Sequence, residues 1–177
     1  ELKQHEVRPV FKPLNILFTK VQESIEPKAI DDEILSGFAA IEWCMDHDLI
    51  QQAYTLTTEL AFTAFCKKNG IDPLDDKKRK LYSRFFTAIV NENKKKNPER
   101  IDYPEIPNAY KLQEEIMKYQ DLLNSYNVIS DNRNDINHAA WRKEYLSPHK
   151  LKTLFQSKYP IFKSELIRYL KANESTV

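Results

Sequence analysis

Two glycines, Gly37 and Gly70, are all that this 177-residue chain provides where backbone must turn left-handed. Tight hairpins and phosphate-cradling loops both depend on that freedom, so the sequence argues against sheet-rich folds and glycine-loop nucleotide binders. Nine prolines punctuate long amphipathic runs instead. The expected fold class is therefore all-α, a helical bundle of six to seven helices. At 41% hydrophobic residues, the chain can build one substantial core.

Residues 1–13 contain Pro9 and Pro13 and read as an extended lead-in. Leu14, Leu17, Phe18, Val21 and Ile25 then recur at helical spacing up to Pro27. Residues 1–30 are thus expected to form an N-terminal arm with a short helix, and residues 31–172 the helical domain. Asp31 or Asp32 can cap a second helix with Ile34, Leu35, Phe38, Ile41 and Met45 facing inward. Asp48, with Gln51 three residues later, reads as a capping pair for a helix over Leu49 to Asn69, ended by Gly70. Its inward face is Ile50, Ala53, Leu56, Leu60, Ala64 and Phe65.

A fourth helix opens at Asp75 or Asp76 and buries Leu81, Phe85 and Ile89, before a polar loop at about 92–106. Pro107 suits the first turn of a fifth, with Leu112, Ile116, Tyr119 and Leu123 inward and an end near Asn127. Asp131 is read as the cap of a sixth helix running to about Tyr145. Ser147 and Pro148 open the last, which buries Leu151, Leu154 and Phe155. Pro160 is expected to kink or restart it before Phe162, Leu166, Ile167 and Leu170.

The net charge of +1 does not mark a nucleic-acid binder as a whole. A phosphate partner would have to use local patches such as Lys77-Lys78-Arg79-Lys80 or Lys94-Lys95-Lys96. Cys44 and Cys66 lie within apolar helical patterns, which suggests neither a disulfide framework nor a zinc site and fits a reducing, cytoplasmic setting. No apolar run is long enough to span a membrane. The chain begins with Glu1 rather than Met, so it is expected to be a fragment of a longer protein.

The stretch RNDINHAAW, residues 133–141, carries the chemistry. On a helix, positions five apart differ by about 140° in azimuth, so Arg133 and His138 flank one broad face, while Asn134 and His138 share it. A histidine that titrates near neutrality can take the proton of a ribose 2′-OH or protonate the leaving 5′-oxygen. A permanently charged guanidinium can hold the phosphate between them. That pair suits metal-independent RNA cleavage to a 2′,3′-cyclic phosphate and a 5′-OH. With Asp131 as the cap, Arg133 would sit in the first helical turn, where the positive helix end also favours phosphate. One histidine serves poorly as both base and acid, whereas a symmetric dimer supplies two. Asp135 counts against an anion site unless it faces away. Tyr103, Tyr110 and Lys94 to Lys96 are further candidates for stacking on RNA or contacting its phosphates.

These residues resemble a known family. Arg133-Asn134-x-x-x-His138 is similar to the Arg-polar-x-x-x-His signature of HEPN domains. GFAAIEWCMDHDLIQQAYTLTTE, from Gly37 to Glu59, resembles the helix pair that precedes that signature in the CRISPR-associated Csm/Csx ribonucleases of type III systems. The resemblance covers roughly residues 30–170. It implies an all-helical, dimeric HEPN endoribonuclease acting on single-stranded RNA in antiviral defence, without metal or cofactor. His138 would be the catalytic acid and base, Arg133 the phosphate contact and Asn134 a polar support, with a homodimer formed through the motif helix. Trp43, Gln51, Gln52 and Glu59 would be structural only.

Members of that family carry a CARF sensor domain that binds cyclic oligoadenylate. This sequence has no βαβ pattern for one, so activation by cyclic oligoadenylate would belong to a missing N-terminal sensor domain. The alternatives are a non-catalytic HEPN-scaffold module for dimerisation or RNA binding, and a toxin-type HEPN ribonuclease.

Overall fold

A computed structural model of the chain describes residues 33–72, 74–137 and 146–172. The expected helix over residues 14–27, the Asp31 and Asp32 caps, His138 and Trp141 lie outside the described residues. Within them the protein is an all-α bundle of six helices: α1 (Glu33–Asp46), α2 (Ile50–Lys68), α3 (Asp76–Asn93), α4 (Ala109–Met117), α5 (Gln120–Asn137) and α6 (Pro148–Lys171). No strand occurs among the described residues. No helix among them is long and apolar enough to cross a membrane.

Helix α2 is the central element and packs against α1, α3, α5 and α6. Its sequence explains why: Ala53, Leu60, Ala61, Ala64 and Phe65 are buried together with Tyr54, Phe62 and Cys66, which places apolar groups on more than one face. Phe38 and Ile41 of α1, Phe85 and Ile89 of α3, Leu123 and Ile129 of α5, and Phe155, Phe162 and Leu166 of α6 complete the core. Cys44 and Cys66 are free thiols buried within it. Burial pushes the Cys66 thiol up to about 11. Leu35 and Leu56, expected inward, are 46% and 36% exposed, so the buried stripes of α1 and α2 are narrower than their apolar residues suggest.

Helix ends follow local chemistry, with one exchange of roles. Asp75 caps α3, its carboxylate accepting from the backbone N–H of Lys77 and Lys78 at 3.1 Å each. Ser147 caps α6 by accepting from the Lys150 N–H, with Pro148 in the first helical turn. Gly70 adopts φ 66° and closes α2 with the paired bonds Ile71 N–H to Cys66 C=O and Gly70 N–H to Lys67 C=O. Asp48, expected to cap α2, instead does for α1 what Gly70 does for α2. It sits at φ 58°, with Leu49 N–H bonded to Cys44 C=O and Asp48 N–H to Met45 C=O. Its carboxylate pairs with Lys152 of α6, and the residue preceding α2 is Leu49, which makes no side-chain cap.

Gly37 marks the close approach of α1 to α2. A Cβ there would lie 2.5 Å from Cδ1 of the buried Leu60. Overpacking costs about 1–3 kcal/mol and the better helix propensity of alanine returns about 1. Gly37→Ala is therefore expected to lower stability by about 1 kcal/mol in a denaturant melt, with partial recovery when Leu60→Val is added.

The loop from 94 to 108 is tied down by side chains. Glu92 accepts from the Glu99 N–H at 2.6 Å and from Lys95 at 2.8 Å. Gln113 accepts from the Ile101 N–H at 2.9 Å and donates to the Glu99 carbonyl at 2.7 Å, while Ile106 plugs into the core. The Lys95 and Glu99 donors hold the Glu92 carboxyl below its ordinary value. A carboxylate lowered in the folded state contributes stability that is present above its unfolded pKa and lost as pH falls through the folded one. Glu92→Gln is thus expected to lower the midpoint of thermal unfolding at pH 7 and to have little effect at pH 3, as read by circular dichroism.

Two expectations about the later helices fail, and a third is narrowed. The segment expected as one helix from Pro107 to near Asn127 breaks at Lys118-Tyr119, where the Gln120 side chain bonds the Met117 carbonyl. Helix α5 then runs without interruption past Asp131, because Leu122, Ser125 and Ile129 keep a buried stripe at three- and four-residue spacing through that point. Pro160 does not restart α6, which is continuous over 24 residues. Pro160 and Gln156 both lie on the exposed side. The Gln156 carbonyl that loses its donor can therefore turn to water.

Candidate functional site

Arg133 and Asn134 line a polar pocket of 230 Å³ at the junction of α2, α3 and α5. Thr58, Glu59 and Phe62 come from α2, and Arg79, Ser83, Phe86 and Thr87 from α3. Tyr126 and Ser130 join Arg133 and Asn134 from α5. Helical spacing places the last group: Ser130 lies four residues after Tyr126, and Arg133 and Asn134 lie three and four after Ser130, which puts them on one side of the helix.

Phe62 and Phe86 form the apolar floor. The Phe86 ring meets Phe62 at 6.3 Å, Phe65 at 5.1 Å and Tyr126 at 5.1 Å between centroids. Above it, Arg79 forms an ion pair with Glu59, and its guanidinium carbon lies 5.2 Å from the centre of the Phe62 ring. Tyr126 is hydrogen-bonded to Ser130, and burial pushes its phenol up; the charges of Glu59, Arg133 and Asp131 all act on the same hydroxyl. The Nε of Arg133 is buried and has no hydrogen-bond partner among the described residues. A cationic N–H in that state can donate to an anionic or strongly polar ligand atom.

Asp131 is not a helix cap. It lies in the interior of α5, and its carboxylate faces Lys94 at 3.4 Å. Arg133 is accordingly not in a first turn. The N-terminal end of α5 is at Gln120, about 20 Å away at 1.5 Å per residue, so the helix dipole gives no assistance to an anion at Arg133.

The other sequence candidates divide. Tyr103 packs its ring on Phe85 at 5.1 Å, and Lys94 and Lys95 pair with Asp131 and Glu92. Tyr110 is exposed, with the Arg100 guanidinium 4.8 Å from its ring centre, away from the pocket. Trp43 stacks on His47 at 4.2 Å, and Gln52 is exposed. Among the described residues, no group of three or more His, Cys, Asp or Glu is arranged to hold a metal ion.

Sequence reasoning assigned Arg79 to a basic patch and Glu59 to structure, and missed Tyr126 and Ser130 altogether. The spacing of Tyr126 and Ser130 ahead of Arg133 was the available signal. It goes unseen when a helix boundary is placed between them. No protein-family model, curated protein or solved structure matches the chain.

Proposed function

We propose that the chain is a HEPN-type, metal-independent endoribonuclease domain cleaving single-stranded RNA, with Arg133 binding the scissile phosphate and His138 serving as acid and base. The observation that carries the proposal is Arg133, which lines a pocket together with hydroxyl-bearing residues and a second arginine and whose buried Nε has no hydrogen-bond partner among the described residues. The all-helical fold is compatible with it. Asn134, on the exposed lip of the same pocket, is the polar support that the motif implies.

In this mechanism His138 of one protomer takes the 2′-OH proton, and the freed oxygen attacks the adjacent phosphorus. The 5′-oxygen leaves with a proton from the second protomer's copy of the same residue. Arg133 stabilises the charge that builds on the phosphate. The motif helix thus forms the homodimer, in a type III CRISPR antiviral setting. Cyclic oligoadenylate, where it regulates the activity, binds a sensor domain outside this sequence.

The test is incubation of the protein with labelled RNA in EDTA beside His138→Ala and Arg133→Ala. Cleavage that survives both substitutions, or appears only with a divalent metal, contradicts the mechanism. Binding without cleavage would mark the chain as a HEPN-scaffold RNA-binding module.

A further inference from the structure

We infer that Arg79 is a second phosphate-binding residue, holding an RNA phosphate that neighbours the scissile one, and that Glu59 restrains it by competing for the same guanidinium. The inference rests on the ribonuclease reading above.

Arg79 reaches the pocket from α3, a different helix from the one that carries Arg133, so two arginines from two helices line one cavity. The remaining wall adds the Ser83 hydroxyl and the hydrogen-bonded hydroxyl pair of Tyr126 and Ser130, which keeps one hydrogen between the two and leaves the other to donate to a phosphate oxygen. At 230 Å³ the pocket falls below the roughly 300–1,000 Å³ typical of sites for drug-sized ligands, and its exposed lining is mainly polar. The polar lining and its two arginines suit a phosphodiester group better than a nucleobase.

The Glu59 carboxylate is the evident obstacle to an anion. Its side chain is 49% exposed, and that of Arg79 35%. An ion pair this open to water is weakly held, so an incoming phosphate can take the carboxylate's place on Arg79 while Glu59 turns outward into solvent. Phe62 keeps Arg79 at the pocket wall during the exchange, because the guanidinium lies on its ring.

A purely structural role for the pair, linking α2 to α3, makes a different prediction. Loss of either partner would then act in the same direction. Under the present inference the two substitutions have opposite signs, since one removes a cation that binds RNA and the other removes its competitor.

The experiment measures binding of a fluorescein-labelled single-stranded oligoribonucleotide over a range of salt, in a His138→Ala background that prevents cleavage. Adding Arg79→Ala is expected to weaken binding about tenfold and to flatten the log–log salt dependence by about 0.7, the value for one phosphate contact on a single strand. Adding Glu59→Gln is expected to tighten binding severalfold, and Arg79→Lys, which keeps the charge and guards against a folding defect, to retain most of the affinity. Unchanged affinity and slope with Arg79→Ala, or weakening by Glu59→Gln, overturns this inference and leaves the ribonuclease reading intact. Failure of the parent chain both to bind and to cleave RNA overturns the two together.

Discussion

Cleavage of single-stranded RNA by His138→Ala is expected to fall by about 10²–10⁴-fold, the range that a positioned general acid or base contributes. Arg133→Ala should fall by about 10²–10³-fold, as expected when one preorganised donor to a developing oxyanion is removed. Arg133→Lys should recover little of this loss. Lysine restores the charge, but not the flat fork of donors that Arg133 supplies at the pocket. The assay is initial rate against RNA concentration, with circular dichroism of each variant to establish that the fold is kept. In the dimeric mechanism the rate also depends on protein concentration, and dilution below the dimer dissociation constant removes activity without any substitution.

The second large effect is on stability. Phe86→Ala is expected to cost about 3–5 kcal/mol, because a buried aromatic is removed and the space left behind closes only in part. Phe86 is 4% exposed and touches the rings of Phe62, Phe65 and Tyr126, so three helices lose a shared contact at once. The neighbourhood already contains an apolar cavity of 10 Å³ lined by Phe65, Phe86, Leu123 and Tyr126, too small to hold more than one water. Truncation would enlarge it. Phe86 also floors the candidate pocket, so Phe86→Ala should weaken RNA binding even at temperatures where the protein stays folded. Urea unfolding gives the stability change, and oligoribonucleotide titration gives the binding change.

Much of this architecture was legible because caps and periodicity agree with the packing. Asp75, Ser147-Pro148 and Gly70 end or begin helices through local hydrogen bonds that need no tertiary partner. Phe38, Ile41, Phe65, Phe85, Ile89, Phe155, Phe162 and Leu166 are inward where their spacing places them. The misplacements occur where one residue type has two uses. Asp48 has the profile of an N-cap, yet its short polar side chain also tolerates the left-handed turn that closes α1, and this second use prevails. Ser130, Asp131 and Asn132 resemble a helix start, but Ile129 beside them is fully buried and the stripe through Leu122 and Ser125 keeps α5 intact.

The candidate site was legible only along one helix. Arg133 and Asn134 stand out by spacing, and both line the pocket. Arg79 and Glu59 join them through the packing of α2, α3 and α5, a non-local arrangement with no signature in a linear pattern. His138 lies outside the described residues.

The central claim is that Arg133 and His138 cleave RNA through its own 2′-OH. The most direct measurement is the chemistry of the new ends, from 5′-labelled single-stranded RNA and an otherwise identical strand with 2′-deoxyribose at every position, both incubated in EDTA. The account predicts that only the ribose strand is cut, leaving a 2′,3′-cyclic phosphate and a 5′-OH, and that His138→Ala leaves it whole. Cutting of the deoxy strand, products with a 5′-phosphate, or an uncut ribose strand with the wild-type protein would contradict it.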